Sequence, residues 1–430
     1  MRYECGCAVA KSRLWACLFA NVLAAFLYMA IVFTPYLSRH FLFTLGIPLV
    51  LSWIVFAFLF SPKSLGFNPV LLVMFAFLAW VTTTRLLGHG SASWGNVGAL
   101  MLYFFPLYMY FYYKRLRNDR VSKWIVLVAI GLLTGNVIDN IRLLAIHPYA
   151  AKFLTGSLFV DGLQHLNVGT VPFTSAVAVL LPTLLALAGH GKLRLCLYAL
   201  TAIILSYIYM ALSVTTLLIA VWSVILLSLM SIRNVAVRFV LYCVCAIVLV
   251  VGMFYLPSLL SSLASSLDTQ AIAERIYSIS LVLRGTDVAE SSFMARMRNL
   301  HLSLSTFLSY PFFGVGFQTS VDRYATGVGM HSQVFDDLAR FGLVGIVLNG
   351  FMYLSFVKPL LRTQMRVTKG LAVSYIAFII MSIFNTSIFP ETGLVIFLLL
   401  PLIADLSYKY FYGNRSSCVI SGSPKQSNAF

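Results

Sequence analysis

The chain has 430 residues, of which 60% are hydrophobic and only 10% charged, and its mean hydropathy is +0.91. A water-soluble domain carries roughly 25% charged residues, so this composition excludes a soluble enzyme and implies a polytopic membrane protein. The net charge is +17, but no basic run interleaved with aromatics marks a nucleic-acid surface, and orientation in the membrane explains most of that charge.

A membrane span needs about 20 apolar residues, and helix is the structure such runs take in lipid. The alternation of a transmembrane barrel is absent. Twelve apolar segments are predicted, at about 14–36, 41–60, 69–87, 94–113, 124–146, 172–189, 194–212, 214–231, 237–257, 333–356, 371–389 and 392–408. The joins at 212–214 and 389–392 are tight, and merging either pair would change the count. The first segment lacks an A-x-A cleavage site and is too long for a signal peptide, so it reads as a retained span.

Placing the N-terminus in the cytoplasm makes every short loop on that side positive. Those loops hold Lys63, then Lys114, Arg115, Arg117, Arg120 and Lys123, then Lys192 with Arg194, Arg233 with Arg238, and Lys358 through Lys369. Both termini are then cytoplasmic, and the loops 147–171 and 258–332 face outward. The predicted organisation is nine helices over 1–257, a large periplasmic loop over 258–332, three helices over 333–408 and a cytoplasmic tail over 409–430. The tail is rich in Ser and is expected to be disordered. Tyr110, Tyr112, Tyr113 and Trp124 crowd span ends and read as interface anchors. The seven cysteines include Cys5-Gly6-Cys7 but no paired C-x-x-C and no zinc spacing, so they read as incidental. No metal and no cofactor is implied.

The interval 258–332 is the one long polar gap between apolar segments. It carries Arg275, Arg284, Arg296, Arg298 and Arg323. The positive-inside rule does not place cations on the outer side. Arginine, unlike lysine, offers a planar fork for phosphate; the competing reading is solvated charge or pairing with Glu274, Asp287, Glu290 and Asp322. Ser292 to Ser309 has helical periodicity, with Met297, Leu300, Leu304, Phe307 and Leu308 on one stripe and Arg296, Asn299 and Ser303 opposite. That pattern fits a helix lying on the outer membrane face. Arg296 and Arg298 stand about 200° apart on it, so only one of them can face a given pocket. Pro311 ends the helix, and Gly314 and Gly316 permit a tight turn.

His331 stands where the chain re-enters the membrane. Its near-neutral intrinsic pKa suits a general base, although a histidine at a span end is also an ordinary headgroup contact. Asp336 and Arg340 are expected to pair at i,i+4. Arg85, Asp139, Arg142 and Asp405 are ionisable residues within spans and so are functional candidates, with Asp139 and Arg142 able to pair.

The run Arg296…Tyr310-Pro311-Phe312-Phe313-Gly314-Val315-Gly316…Met330-His331-Ser332-Gln333…Ala339-Arg340-Phe341-Gly342 resembles the signature of the O-antigen ligase and Wzy polymerase superfamily. The likeness covers about fifty residues, and the layout of about twelve spans with one large outer loop agrees with it. The resemblance implies an all-α, GT-C-like membrane glycosyltransferase of the bacterial inner membrane. Its substrates would be undecaprenyl-pyrophosphate-linked oligosaccharides. Arg296 or Arg298 would match the arginine that holds pyrophosphate, and His331 the histidine that activates the acceptor hydroxyl. Arg85, Arg142 or Arg284 would supply a further phosphate contact, because many members carry Ser-Arg-Gly where this chain has Ser213-Val214-Thr215. Pro311, Gly314, Gly316 and Gly342 would be structural motif positions. Tyr310, Ser332 and Arg340 depart from the commoner Asn, Asn and Glu. The favoured expectation is a repeat-unit polymerase, working with membrane lipids and with a chain-length regulator as partner. A ligase acting on lipid A-core is the nearest rival, and a transporter is a rival of another class.

Overall fold

A computed structural model describes residues 2–66, 68–87, 94–155, 163–189, 194–232, 292–317, 326–361 and 366–408, with scattered positions between 234 and 281. Among the described residues every regular element is helical. The first five helices are α1 (Arg2–Phe33), α2 (Pro35–Phe60), α3 (Pro69–Leu87), α4 (Trp94–Leu116) and α5 (Asp119–Ile146). A short α6 (Ala150–Thr155) precedes α7 (Val171–Ala188), α8 (Arg194–Met210) and α9 (Val214–Ser231). After them come α10 (Ser292–Ser309), α11 (Gln333–Leu360) and α12 (Arg366–Phe384). The last, α13 (Pro390–Tyr408), is wound as a π-helix over Leu394–Leu399.

Nine helices of the described residues are long and apolar enough to cross a membrane: α1 from Trp15, α2, α3, α5, α7, α9, α11, α12 and α13. The described residues are all-helical, as a polytopic membrane protein requires. Two further predicted segments are also helices. One is α8, which is shorter; the other is α4, whose polar tyrosine hydroxyls dilute its apolar character. Most of the predicted segment 237–257 lies outside the described residues, as do Arg275, Arg284, Arg323 and the tail 409–430.

Lipid offers no hydrophobic drive for helix association, so close packing and interhelical hydrogen bonds hold such a bundle together. Here α4 supplies the centre. Tyr103, Phe104, Leu107, Tyr110, Tyr112 and Tyr113 are all buried. This corrects the expectation that Tyr110, Tyr112 and Tyr113 anchor a lipid interface. Tyr113 accepts from the Trp53 indole at 2.9 Å and donates to Asn21 at 3.0 Å, and Tyr110 donates to Asp405 at 2.9 Å. A tyrosine hydroxyl can be buried when it has such a partner. Trp124, by contrast, is exposed. Small residues close the contact between α7 and α12: Gly370 lies against Pro182, Thr183 and Ala186 with no room for a Cβ.

The two ends of the bundle are held by different contacts. At one end Lys114 pairs with Asp405 at 3.3 Å, Arg115 binds the carbonyls of Ser64 and Gly66, and Lys369 donates to the Met230 carbonyl at 2.6 Å. At the other end the starts of α2, α11 and α13 meet the segment 163–169 and the residues leading out of α12. There Ser38 donates to the buried Glu391 at 2.5 Å, the Tyr36 amide donates to Asn167 at 3.0 Å, and the Gln333 side-chain carbonyl accepts from Ser387 and Ile388.

Candidate functional site

The site lies at the second of these ends, and α10 is its outer wall. This helix covers the range predicted from periodicity, but it is turned so that its polar side faces the protein. Asn299 and Ser303 are buried, while Met297 and Leu308 are 46% and 69% exposed. Ser303 donates to Asp336 of α11 at 2.7 Å.

Two turns lock α10 onto α11. The first is Pro311–Phe317, which inserts at a break in α11. Gly342 sits inside that helix at φ 60°, ψ −166°, which opens the ladder. The freed groups are taken up by the turn: the Leu343 and Val344 amides donate to the carbonyls of Pro311 and Phe312 at 2.8 and 3.3 Å, and the Val315 and Gly316 amides donate to those of Ala339 and Arg340 at 2.9 and 2.7 Å. The Trp80 indole of α3 donates to the Phe341 carbonyl at 3.2 Å. Gly314 and Gly316 have φ of 69° and 70°. A Cβ at Gly314 would strike the Arg340 backbone, one at Gly342 the Phe312 backbone, and one at Gly316 the Thr84 carbonyl. Each glycine thus allows one backbone to lie directly on another. Pro311 begins this turn just after α10 ends.

The second turn is Thr326–Ser332, which carries His331. Met330 is left-handed, at φ 58°. The Gly329 amide donates to Ser303 at 2.8 Å, the Met330 amide to Asp336 Oδ1 at 3.2 Å and the Ser332 amide to Asp336 Oδ2 at 3.3 Å. Thr386 donates to the Met330 carbonyl at 3.4 Å. Ser332 caps α11 by accepting from the Phe335 amide.

A cavity of about 470 Å³ opens between α9, α10 and α12. Its apolar walls include Leu218, Trp222, Leu300, Ile380 and Phe384, and its polar lining includes Arg296, His331, Ser332 and Thr215. Arg296 Nη1 donates to Thr215 Oγ1 at 3.4 Å. The structure therefore brings Arg296 and His331 to one cavity. Arg298, two residues on, is exposed and does not line it. Lower down α9 and α12 close together, through Leu227 with Val373 and through Lys369 with the Met230 carbonyl. Toward the end that carries His331, Leu218 and Phe384 are 64% and 56% exposed. The cavity is thus a cleft, shut below and bordered by residues that face outward.

The other candidate residues lie elsewhere. Arg85, on α3 one residue after the Thr84 that meets Gly316, does not line the cavity, and neither does Arg142, which is exposed near the end of α5. Arg284 is outside the described residues. Two expected pairs do not form. Asp139 accepts from Asn167 at 2.9 Å rather than meeting Arg142. Asp336 is taken by Ser303 and two backbone amides, while Arg340 lies over the Phe317 ring at 5.3 Å. Among the described residues the one ion pair is Lys114–Asp405, and no cluster of three metal-ligand side chains occurs. A carboxylate hidden by packing takes whichever donors the fold brings closest.

Sequence spacing gave no sign that Thr215 touches Arg296 or that Trp222 walls the cavity, because both depend on how α9 leans against α10. No protein-family model matches the chain, and no curated protein matches it.

Proposed function

We propose that the protein is a membrane glycosyltransferase that joins undecaprenyl-pyrophosphate-linked oligosaccharide repeat units into O-antigen or a related surface polysaccharide. The observation that carries the reading is that Arg296 and His331 line one largely apolar cleft. A lipid-linked sugar pyrophosphate has matching parts: an apolar chain, a doubly charged phosphate group and a sugar at the boundary between them. In this reading the chain enters between α9 and α12, past Leu218 and Trp222, and the pyrophosphate meets Arg296. A guanidinium is suited to this role because its fork binds phosphate oxygens directly.

In the reaction the acceptor hydroxyl oxygen forms a bond to the anomeric carbon of the donor sugar. The bond from that carbon to the pyrophosphate oxygen breaks, and undecaprenyl pyrophosphate leaves with the electron pair. The acceptor proton passes to His331 and from there to water. Arg296 offsets the charge that grows on the leaving oxygen, as preorganised donors do in other transfers. Membrane orientation, the GT-C-like arrangement and the inner-membrane location belong to the same proposal. The cations Lys114, Arg115 and Lys369, at the end opposite the cleft, support placing that end in the cytoplasm.

Arginines outside the cleft provide a contrast. Arg298→Ala and Arg142→Ala, both at exposed positions, are expected to leave turnover within about threefold of wild type, the usual range for surface changes. Loss of turnover in either, measured on purified protein, would mean that the phosphate site extends beyond the cleft. Deleting the gene tests the polymerase reading against its nearest rival. A polymerase loss leaves lipopolysaccharide with single repeat units; a ligase loss leaves bare core and accumulated lipid-linked polymer.

A further inference from the structure

We propose that Asp336, assisted by Ser303, is a positioning residue that fixes the imidazole of His331. This rests on the reading of His331 as the base of the transfer. The carboxylate of Asp336 is buried at 1% exposure, and Ser303 is fully buried. Asp336 Oδ1 accepts from the Met330 amide and Oδ2 from the Ser332 amide. The residues on both sides of His331 are therefore held by the two oxygens of one side chain. Ser303 makes the third point of the clamp. Its hydroxyl donates to Asp336 and accepts from the Gly329 amide.

The backbone between these points is under constraint. Met330 holds a left-handed φ of 58° without being glycine, a conformation that costs energy unless surrounding bonds impose it. At Gly329 a Cβ would strike the backbone of Asn299 on α10. The turn is thus pressed against α10 and pulled toward α11 at once. Such over-determination is what a catalytic group requires, since small displacements of a base are costly in rate. A carboxylate is also a stronger acceptor of amide hydrogen bonds than a neutral oxygen. Arg340, the nearest cation along α11, lies over the Phe317 ring, and Asp336 accepts its hydrogen bonds from Ser303 and the turn.

The test uses the full-length protein in lipid nanodiscs, with Asp336→Asn and Ser303→Ala. Asparagine keeps the size and one acceptor oxygen but turns an N–H₂ toward one of the two amides. Amide exchange of residues 329–332 is expected to quicken about tenfold or more in Asp336→Asn, from loss of a charge-assisted bond. Exchange of residues 343–360 should be unchanged. With lipid-linked repeat units as substrate, kcat should fall on the order of 10²-fold, with KM within about threefold because Arg296 is untouched. Ser303→Ala should move both readings the same way and less far. Wild-type exchange at 329–332, wild-type turnover, or lost protection throughout α11 would each overturn the assignment. The exchange measurement needs no turnover. A wild-type protein inactive on lipid-linked repeat units would therefore defeat the proposed function and leave the clamp to be judged by exchange alone.

Discussion

His331→Ala is expected to abolish long-chain polysaccharide in cells while the protein still accumulates in the membrane. His331 lines the same cleft as Arg296 and Ser332, and the backbone amides of Gly329, Met330 and Ser332 around it are held by Ser303 and Asp336. Removing the imidazole leaves those backbone contacts in place. General-base catalysis contributes typically about 10²- to 10⁴-fold, so turnover of the purified variant should fall by that order. Arg296→Ala should cost a similar amount, roughly 10²- to 10³-fold, the range for loss of one preorganised donor. Arg296→Lys should restore little of it, because a point charge cannot reproduce the guanidinium fork. Wild-type chain lengths on a silver-stained gel for either alanine variant would exclude these residues from the reaction.

Gly342→Val is expected to prevent the folded protein from accumulating, and Gly342→Ala to destabilise it severely. The φ/ψ of 60°, −166° belongs to a region that only glycine occupies readily, and strain there costs about 1–3 kcal/mol. The new Cβ would also drive into the Phe312 backbone, and overpacking of this kind typically costs a further 1–3 kcal/mol. Backbone cannot swing aside as a long side chain can, so the turn Pro311–Phe317 must leave its seat. That turn joins α10 to α11 and thereby frames the cleft. Gly350, also in α11, is the control, because nothing lies within 4 Å of a Cβ built there. Gly350→Ala should be neutral or stabilising by up to about 1 kcal/mol, the helix propensity difference. Thermal unfolding of the two alanine variants in detergent checks the contrast. Equal transitions would show that the break in α11 is not needed.

The helical membrane class was legible in the composition alone, since lipid leaves a spanning chain few choices. The limits of α10 were legible too, because periodicity and Pro311 are local signals, and the separation of Arg296 from Arg298 followed from helical pitch. What could not be read depended on packing. The family resemblance marks Gly342 as a motif position, but the break it makes in α11 appears only when Phe312 lies on it. Tyr110, Tyr112 and Tyr113 sit near the end of a helix, where tyrosine commonly meets headgroups. Their burial depends on Asp405, Ala57 and Asn21, far away in the chain. Asp336 had a plausible partner four residues along its own helix and took three donors from other segments instead. Helical spacing reports which pairs are possible, and the tertiary fold decides among them.

The most direct test is reconstitution. Purified wild-type protein in nanodiscs, given undecaprenyl-pyrophosphate-linked repeat units as its only substrate and a metal chelator, should yield a ladder of longer lipid-linked saccharides. His331→Ala and Arg296→Ala should yield none under the same conditions. A wild-type protein that leaves the repeat units unextended, or alanine variants that extend them as wild type does, would contradict the assignment of the Arg296–His331 cleft as a glycosyl-transfer site.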